Sequence, residues 1–265
     1  MNIFLHEMKM HRNSIVIWSI SISATILLFV GMFPAMGKNI SNMILMIENF
    51  PKEFIQAFNI EIMLLGTVLG FYSFIFIYTT LLGGIQAMRY GLSVLSIEER
   101  EKTADFLISK PVSRNKIIIS KILAVITSIL ITNIVFFIVA YLMVNKYSDS
   151  NLDNKLFLMI TLSLFFIQMI FMSIGLLISM IPRKIKAVTP ITMGVVFGFF
   201  IINLFSSAFD DKKLEYITPF KYFDPEYILK NESYNMRYAL VAIVVITVSL
   251  GFTYYRYMKK DMAQI

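Results

Sequence analysis

The chain has 265 residues, of which 57% are hydrophobic and only 15% charged, and its mean hydropathy is +0.72. A soluble domain of this size needs roughly 25% charged residues to cover its surface, so composition points to one integral membrane domain, residues 1–265. The lack of cysteine excludes disulfides and thiolate metal sites, and the net charge of +7 has a topological origin that needs no nucleic acid.

Residues 1–13 mix Ile3, Phe4, Met8 and Met10 with Glu7, Lys9 and Arg12, which predicts a short interfacial helix leading into the membrane. No small-residue cleavage pattern follows, so the first hydrophobic segment reads as a retained span and not as a leader. His6-Glu7 and His11 resemble the zinc-protease motif H-E-x-x-H, but the second histidine comes one residue late. At about 100° per residue the two imidazoles diverge by about 140°, so no metal site is expected.

The first span covers residues 14–33, with Trp18 near its start and Pro34 at its end. Residues 35–61 read as two short amphipathic surface helices broken at Pro51. Gly31, Gly37 and Lys38 are spaced like a Walker A loop with one residue too many, and Asn39 stands where Ser or Thr must hold magnesium. The second span, residues 62–88, is uncharged. At about 40 Å it exceeds the ~30 Å hydrocarbon core and must tilt or protrude. Gly66 and Gly70 give it a small-residue packing face.

A charged passage follows. Ser96 is placed to cap a helix with Glu99 three residues on, Glu98 and Glu101 suit its first turns, and Pro111 stops it. A helix over 96–109 presents Ile97, Ala104, Leu107 and Ile108 as an apolar stripe with Phe106 at its edge. So short a helix is not stable alone in water, and the stripe needs its own membrane domain, lipid or a partner to cover it.

The third span is 117–144, with Asn133 at mid-membrane. Asp149, Asn151 and Asp153 begin like an EF-hand, but the glycine is missing and Ile160 replaces the bidentate glutamate, so a solvated turn is expected. The fourth span, 156–181, carries Gln168; a basic turn at 182–186 leads to the fifth, 187–205, with Gly194, Gly198 and Asn203. Residues 206–237 are rich in aromatics and acids, and read as short helices folded back on the membrane surface. The sixth span is 238–257, before a basic tail.

Six spans place both termini on one side. That side holds 15 of the 24 Lys and Arg residues and 6 of the 17 acids, so the positive-inside rule makes the termini and the 96–121 passage cytoplasmic. Asn133, Gln168 and Asn203 are candidate polar groups of a transport cavity, with interhelical hydrogen bonding as the competing reading. Charge deep in the spans is absent, which argues against a proton or sodium carrier. An intramembrane enzyme is also disfavoured. Both histidines lie within the first eleven residues, no aspartate is intramembrane, and Ser113 and Lys116 match S-x-x-K only in a basic loop.

The run E-E-R-E-K-T-A-D-F-L-I-S-K-P-V-S-R resembles the loop after the second membrane helix of ABC-2 type transporter permeases. Glu98, Glu99, Thr103, Leu107, Pro111, Val112, Ser113, Arg114 and Lys121 match that family's pattern, while Lys102 stands where it often has Gly. The T-P-F-K-Y-F-D run at 218–224 and the segment at 49–59 are similar to further parts of the same permeases. The resemblance implies an all-α membrane protein with six transmembrane helices in the ABC-2 (type V exporter-like) permease fold and an interfacial N-terminal helix. It implies ATPase coupling through Ser96, Glu98, Glu99, Thr103, Ala104, Phe106, Leu107, Pro111 and Arg114. Two copies of a separate ABC ATPase would bind ATP and Mg, this chain would bind no cofactor of its own, and a second permease half, identical or not, would complete the path. The expected setting is a bacterial cell membrane, and the expected cargo is amphipathic or lipid-like. A sensor or immunity protein on the same fold is the alternative.

Overall fold

The structure is a computed structural model that describes residues 3–37, 45–47, 49–57, 65–100, 112–148, 152–181 and 185–259, without the side chains of residues 36, 37, 98 and 99. Among the described residues all regular structure is helical. Six helices are long and apolar enough to cross a membrane: α1 (Ile3–Gly31), α4 (Val68–Arg100), α5 (Arg114–Tyr147), α6 (Asn154–Ser179), α7 (Val188–Phe209) and α10 (Met236–Lys259). Short helices α2 (Phe33–Gly37), α3 (Lys52–Ala57), α8 (Lys212–Glu215) and α9 (Pro225–Asn231), with a 3-10 turn at Pro219–Lys221, lie between them at the end opposite the termini.

Two sequence expectations change. The interfacial helix expected at residues 1–13 is not separate: α1 runs unbroken through it into the first span. No proline or glycine interrupts that stretch, and Glu7 is buried there instead of facing solvent. The second span starts six residues late, at Val68, and continues through to Arg100. Ser96 is therefore not a cap. It sits inside α4, 2% exposed, with its hydroxyl donating to the Leu92 carbonyl at 2.6 Å. The back-bond is the usual alternative for a serine that the helix has already passed.

The remaining boundaries follow local signals. Ser113 caps α5 by accepting from the Lys116 N–H, and Pro111 just upstream lies outside the described residues. The Asp153 carboxylate accepts from the Lys155 and Leu156 N–H groups, so it serves as a helix cap, while Asp149 and Asn151 lie outside the described residues. Asp210, in the left-handed region at φ 49°, ends α7 and turns the chain back.

The core is built on α4 and α6. A Cβ on Gly91 would stand 2.2 Å from the Met172 carbonyl oxygen, and one on Gly175 would stand 2.6 Å from the Met88 carbonyl oxygen. The two backbones touch, which only glycine permits at such a crossing. Gly83 and Gly84 extend the close approach, against Leu164 and Phe171. Helix α1 packs along α5, α10 along α6, and α3 against α7.

The segment between α7 and α10 does more than lie on a surface. Phe220 is inserted between Phe171 of α6 and Phe200 of α7, with ring centroids 5.0 and 5.6 Å away. Thr218, fully buried, donates its hydroxyl to the Phe199 carbonyl at 2.9 Å, and the Tyr234 hydroxyl donates to the Met159 carbonyl at 2.8 Å. The T-P-F-K-Y-F-D run is thus a cap plugged into the helix bundle.

Candidate functional site

At the end that holds the termini, the passage from Arg100 to Arg114 joins α4 to α5. Residues 101–111 lie outside the described residues, and with them Thr103, Ala104, Phe106, Leu107 and Pro111. Glu98 and Glu99 are in the last turn of α4. Arg114, the first residue of α5, donates a hydrogen bond to the Met258 carbonyl at 3.2 Å and so fastens the start of α5 to the end of α10.

Near the ends of α4 and α5 lies a buried ion pair that sequence patterning alone does not single out. Lys121 is 1% exposed and Glu7 6% exposed. The Lys121 Nζ donates to Glu7 Oε1 at 2.7 Å and to the Val94 carbonyl at 2.9 Å. One ammonium therefore joins α1, α4 and α5 just where α4 leaves for residues 101–111 and α5 returns. Two charges this far from water persist only when paired and hydrogen-bonded. A signal for Lys121 by itself is present: it falls one helical turn after Ile117 on the face that includes Ile118 and Val125, both buried.

The bundle centre holds a chain of amides. Asn133 Nδ2 donates to Gln168 Oε1 at 2.5 Å and to the Ile129 carbonyl at 2.9 Å. Gln168 Nε2 donates to Gln86 Oε1 at 3.0 Å, and Gln86 Nε2 donates to the Thr132 hydroxyl at 3.0 Å. The Thr132 hydroxyl donates to the Ser128 carbonyl at 3.1 Å. Helices α4, α5 and α6 are thus bridged by side chains that hydrogen-bond one another. Asn133 and Gln168 are brought together. Gln86, which completes the chain, was recognisable by the same logic as a lone amide in an apolar run.

Asn203 is not part of that chain. It is 2% exposed, its Oδ1 has no hydrogen-bond partner among the described residues, and it lines a cavity of about 40 Å³ with Ser73, Thr80 and Asp224. A space of that size admits a water or two, not a cargo.

The expected packing glycines divide. Gly70 is buried in the first turn of α4, and Gly66 sits in the turn before it. On Gly194 and Gly198 a Cβ would meet nothing within 4 Å, so α7 carries an open small-residue face instead of a contact inside this chain. The close approach is made by Gly83, Gly84, Gly91 and Gly175, which lie in α4 and α6.

Among the described residues no group of three His, Asp or Glu side chains is arranged to hold a metal ion. The six spans carry a buried ion pair at the loop-bearing end and an aromatic plug at the other.

A family model described as ABC-2 family transporter protein matches residues 1–262. No curated protein matches the chain. With six spans, an all-helical fold and a family match over nearly its full length, the chain belongs to the ABC-2 transporter family and is a multi-pass membrane component of that transport machinery.

Proposed function

We propose that this chain is the permease subunit of an ATP-driven exporter, in which residues 96–109 receive the movement of a separate ABC ATPase. The termini and this passage face the cytoplasm, in keeping with the distribution of Lys and Arg. Two ATPase copies serve two permease halves of a bacterial cell membrane transporter. The cargo is amphipathic or lipid-like, in the class of a toxin or antimicrobial peptide, a drug or a lipid.

The observation that carries the reading is the Glu7–Lys121–Val94 clamp. A push on residues 101–111 moves the end of α4 and the start of α5 together, because Lys121 binds both. Glu7 then passes the displacement to α1. Coupling of this kind needs an element with two packed arrangements, whose balance the ATP-bound partner shifts. Among the described residues the buried charges of the spans are confined to this clamp at one end, which fits a path for amphipathic cargo better than an ion pathway.

The test is Leu107→Asp or Ala104→Asp in the complex reconstituted with its ATPase. Both variants are expected to insert normally and to lose cargo-stimulated ATP turnover. Retention of full stimulation would refute the docking assignment. The purified chain alone is expected to give no heat of binding with ATP in calorimetry, because ATP and Mg belong to the partner.

A further inference from the structure

At the end opposite the termini, the plug segment and the start of α10 enclose a second cavity, of about 450 Å³. That is the size of a small-molecule site and about ten times the space beside Asn203. Five tyrosines line it: Tyr216, Tyr222, Tyr227, Tyr234 and Tyr238. Three of their hydroxyls are engaged: Tyr222 donates to the Tyr216 carbonyl, Tyr234 to the Met159 carbonyl and Tyr238 to the Glu215 carboxylate. These rings are consequently fixed, and Tyr222 stacks on Tyr238 at 6.0 Å between centroids.

The charges of the lining are unevenly engaged. Asp224 pairs with Lys221 at 2.7 Å, Glu226 pairs with Lys230 at 2.7 Å, and Glu215 accepts from Tyr238. Burial opposes the charge on Lys221, but Asp224, with Glu215 and Glu226 further off, outweighs it and raises the pKa above the usual lysine value. The two remaining cations of the lining, Lys212 and Arg237, have no acid within ion-pair distance among the described residues. Every acid is thus held by a donor, while two cations are not.

The position of the cavity matters as much as its charge. It lies where α7 ends at Phe209 and α10 begins at Met236, the boundary between span and connection. Phe209, Ile217, Met236 and Leu240 are exposed around it at 66%, 50%, 74% and 63%. Apolar side chains exposed beside a charged, tyrosine-lined hollow describe a membrane interface, with hydrocarbon on one side and headgroups on the other.

We infer that this vestibule binds the anionic headgroup of an amphiphile seated in that leaflet, with Lys212 and Arg237 holding the anion and the tyrosine faces packing on the atoms that link it to its tail. Arg237 can engage a phosphate or carboxylate through two N–H groups, and Lys212 acts as a point charge. The inference is independent of the ATPase docking proposed above, because it concerns the opposite end of the chain and needs no nucleotide.

Native mass spectrometry of the purified full chain tests it, with palmitoyl-oleoyl phosphatidylglycerol and the corresponding phosphatidylcholine as probes. The wild type is expected to retain the anionic lipid about tenfold more strongly than the zwitterionic one, the ratio that follows from one favourable charge contact. The double variant Lys212→Gln/Arg237→Gln is expected to lose that preference. Both side chains are exposed, so the fold should survive, as an unchanged thermal transition by circular dichroism would verify. Lys213→Gln, adjacent in sequence but outside the lining, is expected to behave as wild type. Equal retention of the two lipids, or equal loss in the Lys213 variant, overturns the assignment. Displacement of the lipid by an equal concentration of free glycerol 3-phosphate overturns its amphiphile part.

Discussion

Helices α4 and α6 on one side, and α7 and α10 on the other, are equally apolar and do opposite things. The most apolar windows of α4 and α6 are 72% and 61% buried within the chain, and those of α7 and α10 only 28% and 17%. Hydropathy cannot separate them, since lipid tails and leucine side chains are alike to a transfer scale. What separates them is the backbone approach at Gly91 and Gly175, the amide chain through Gln86 and Gln168, and the ion pair at Lys121. Helix α7 has its own glycine pair, Gly194 and Gly198, and nothing within this chain fills the space beside it. A small-residue spacing marks a surface that admits close packing, and the neighbour decides whether the packing occurs.

The largest effect is expected at the clamp. Lys121→Met leaves Glu7 buried without its cation and should cost about 3–5 kcal/mol, read as a fall in the thermal transition of the detergent-purified chain. Adding Glu7→Leu removes the stranded charge and should restore most of the loss. A fully additive double variant would contradict the pairing.

Gly91→Ala comes next. Its new methyl meets the Met172 backbone and not a mobile side chain, so α4 and α6 must separate, at about 3 kcal/mol. Gln168→Leu strands the amides of Asn133 and Gln86 and should cost about 1–2 kcal/mol. Gly194→Ala should change the stability of the isolated chain by less than about 0.5 kcal/mol, since its Cβ meets nothing. If Gly194→Ala were as damaging as Gly91→Ala, the contrast between the two helix pairs would be wrong.

The number of spans and their order were legible because each is a long apolar run bounded by charge. The amide bridge was half legible. Asn133 and Gln168 stand out in apolar sequence, but their meeting depends on how α5 and α6 lie side by side, which no local pattern encodes. The cap expected at Ser96 failed for a related reason. Ser-x-x-Glu favours a helix start only where the chain enters a helix, and here α4 is already helical and continues through it. The N-terminal segment looked interfacial because Glu7 and His6 are polar, whereas a partner 114 residues away, Lys121, lets Glu7 be buried. Such long-range pairs are invisible to a window of a few residues. The aromatic run at 218–224 was noticed as a motif, and its insertion between α6 and α7 gives the motif a physical role.

The coupling assignment rests on the passage 96–109 meeting the ATPase, and the absence of native cysteine makes a direct test simple. A single cysteine at Leu107, and another at Tyr227 on the opposite end, can each carry a photo-activated cross-linker in the complex assembled with its ATPase. The account predicts a covalent product with the ATPase from position 107 and none from position 227. Cross-linking from position 227, or its absence at 107 in a complex that still hydrolyses ATP under cargo stimulation, would contradict it.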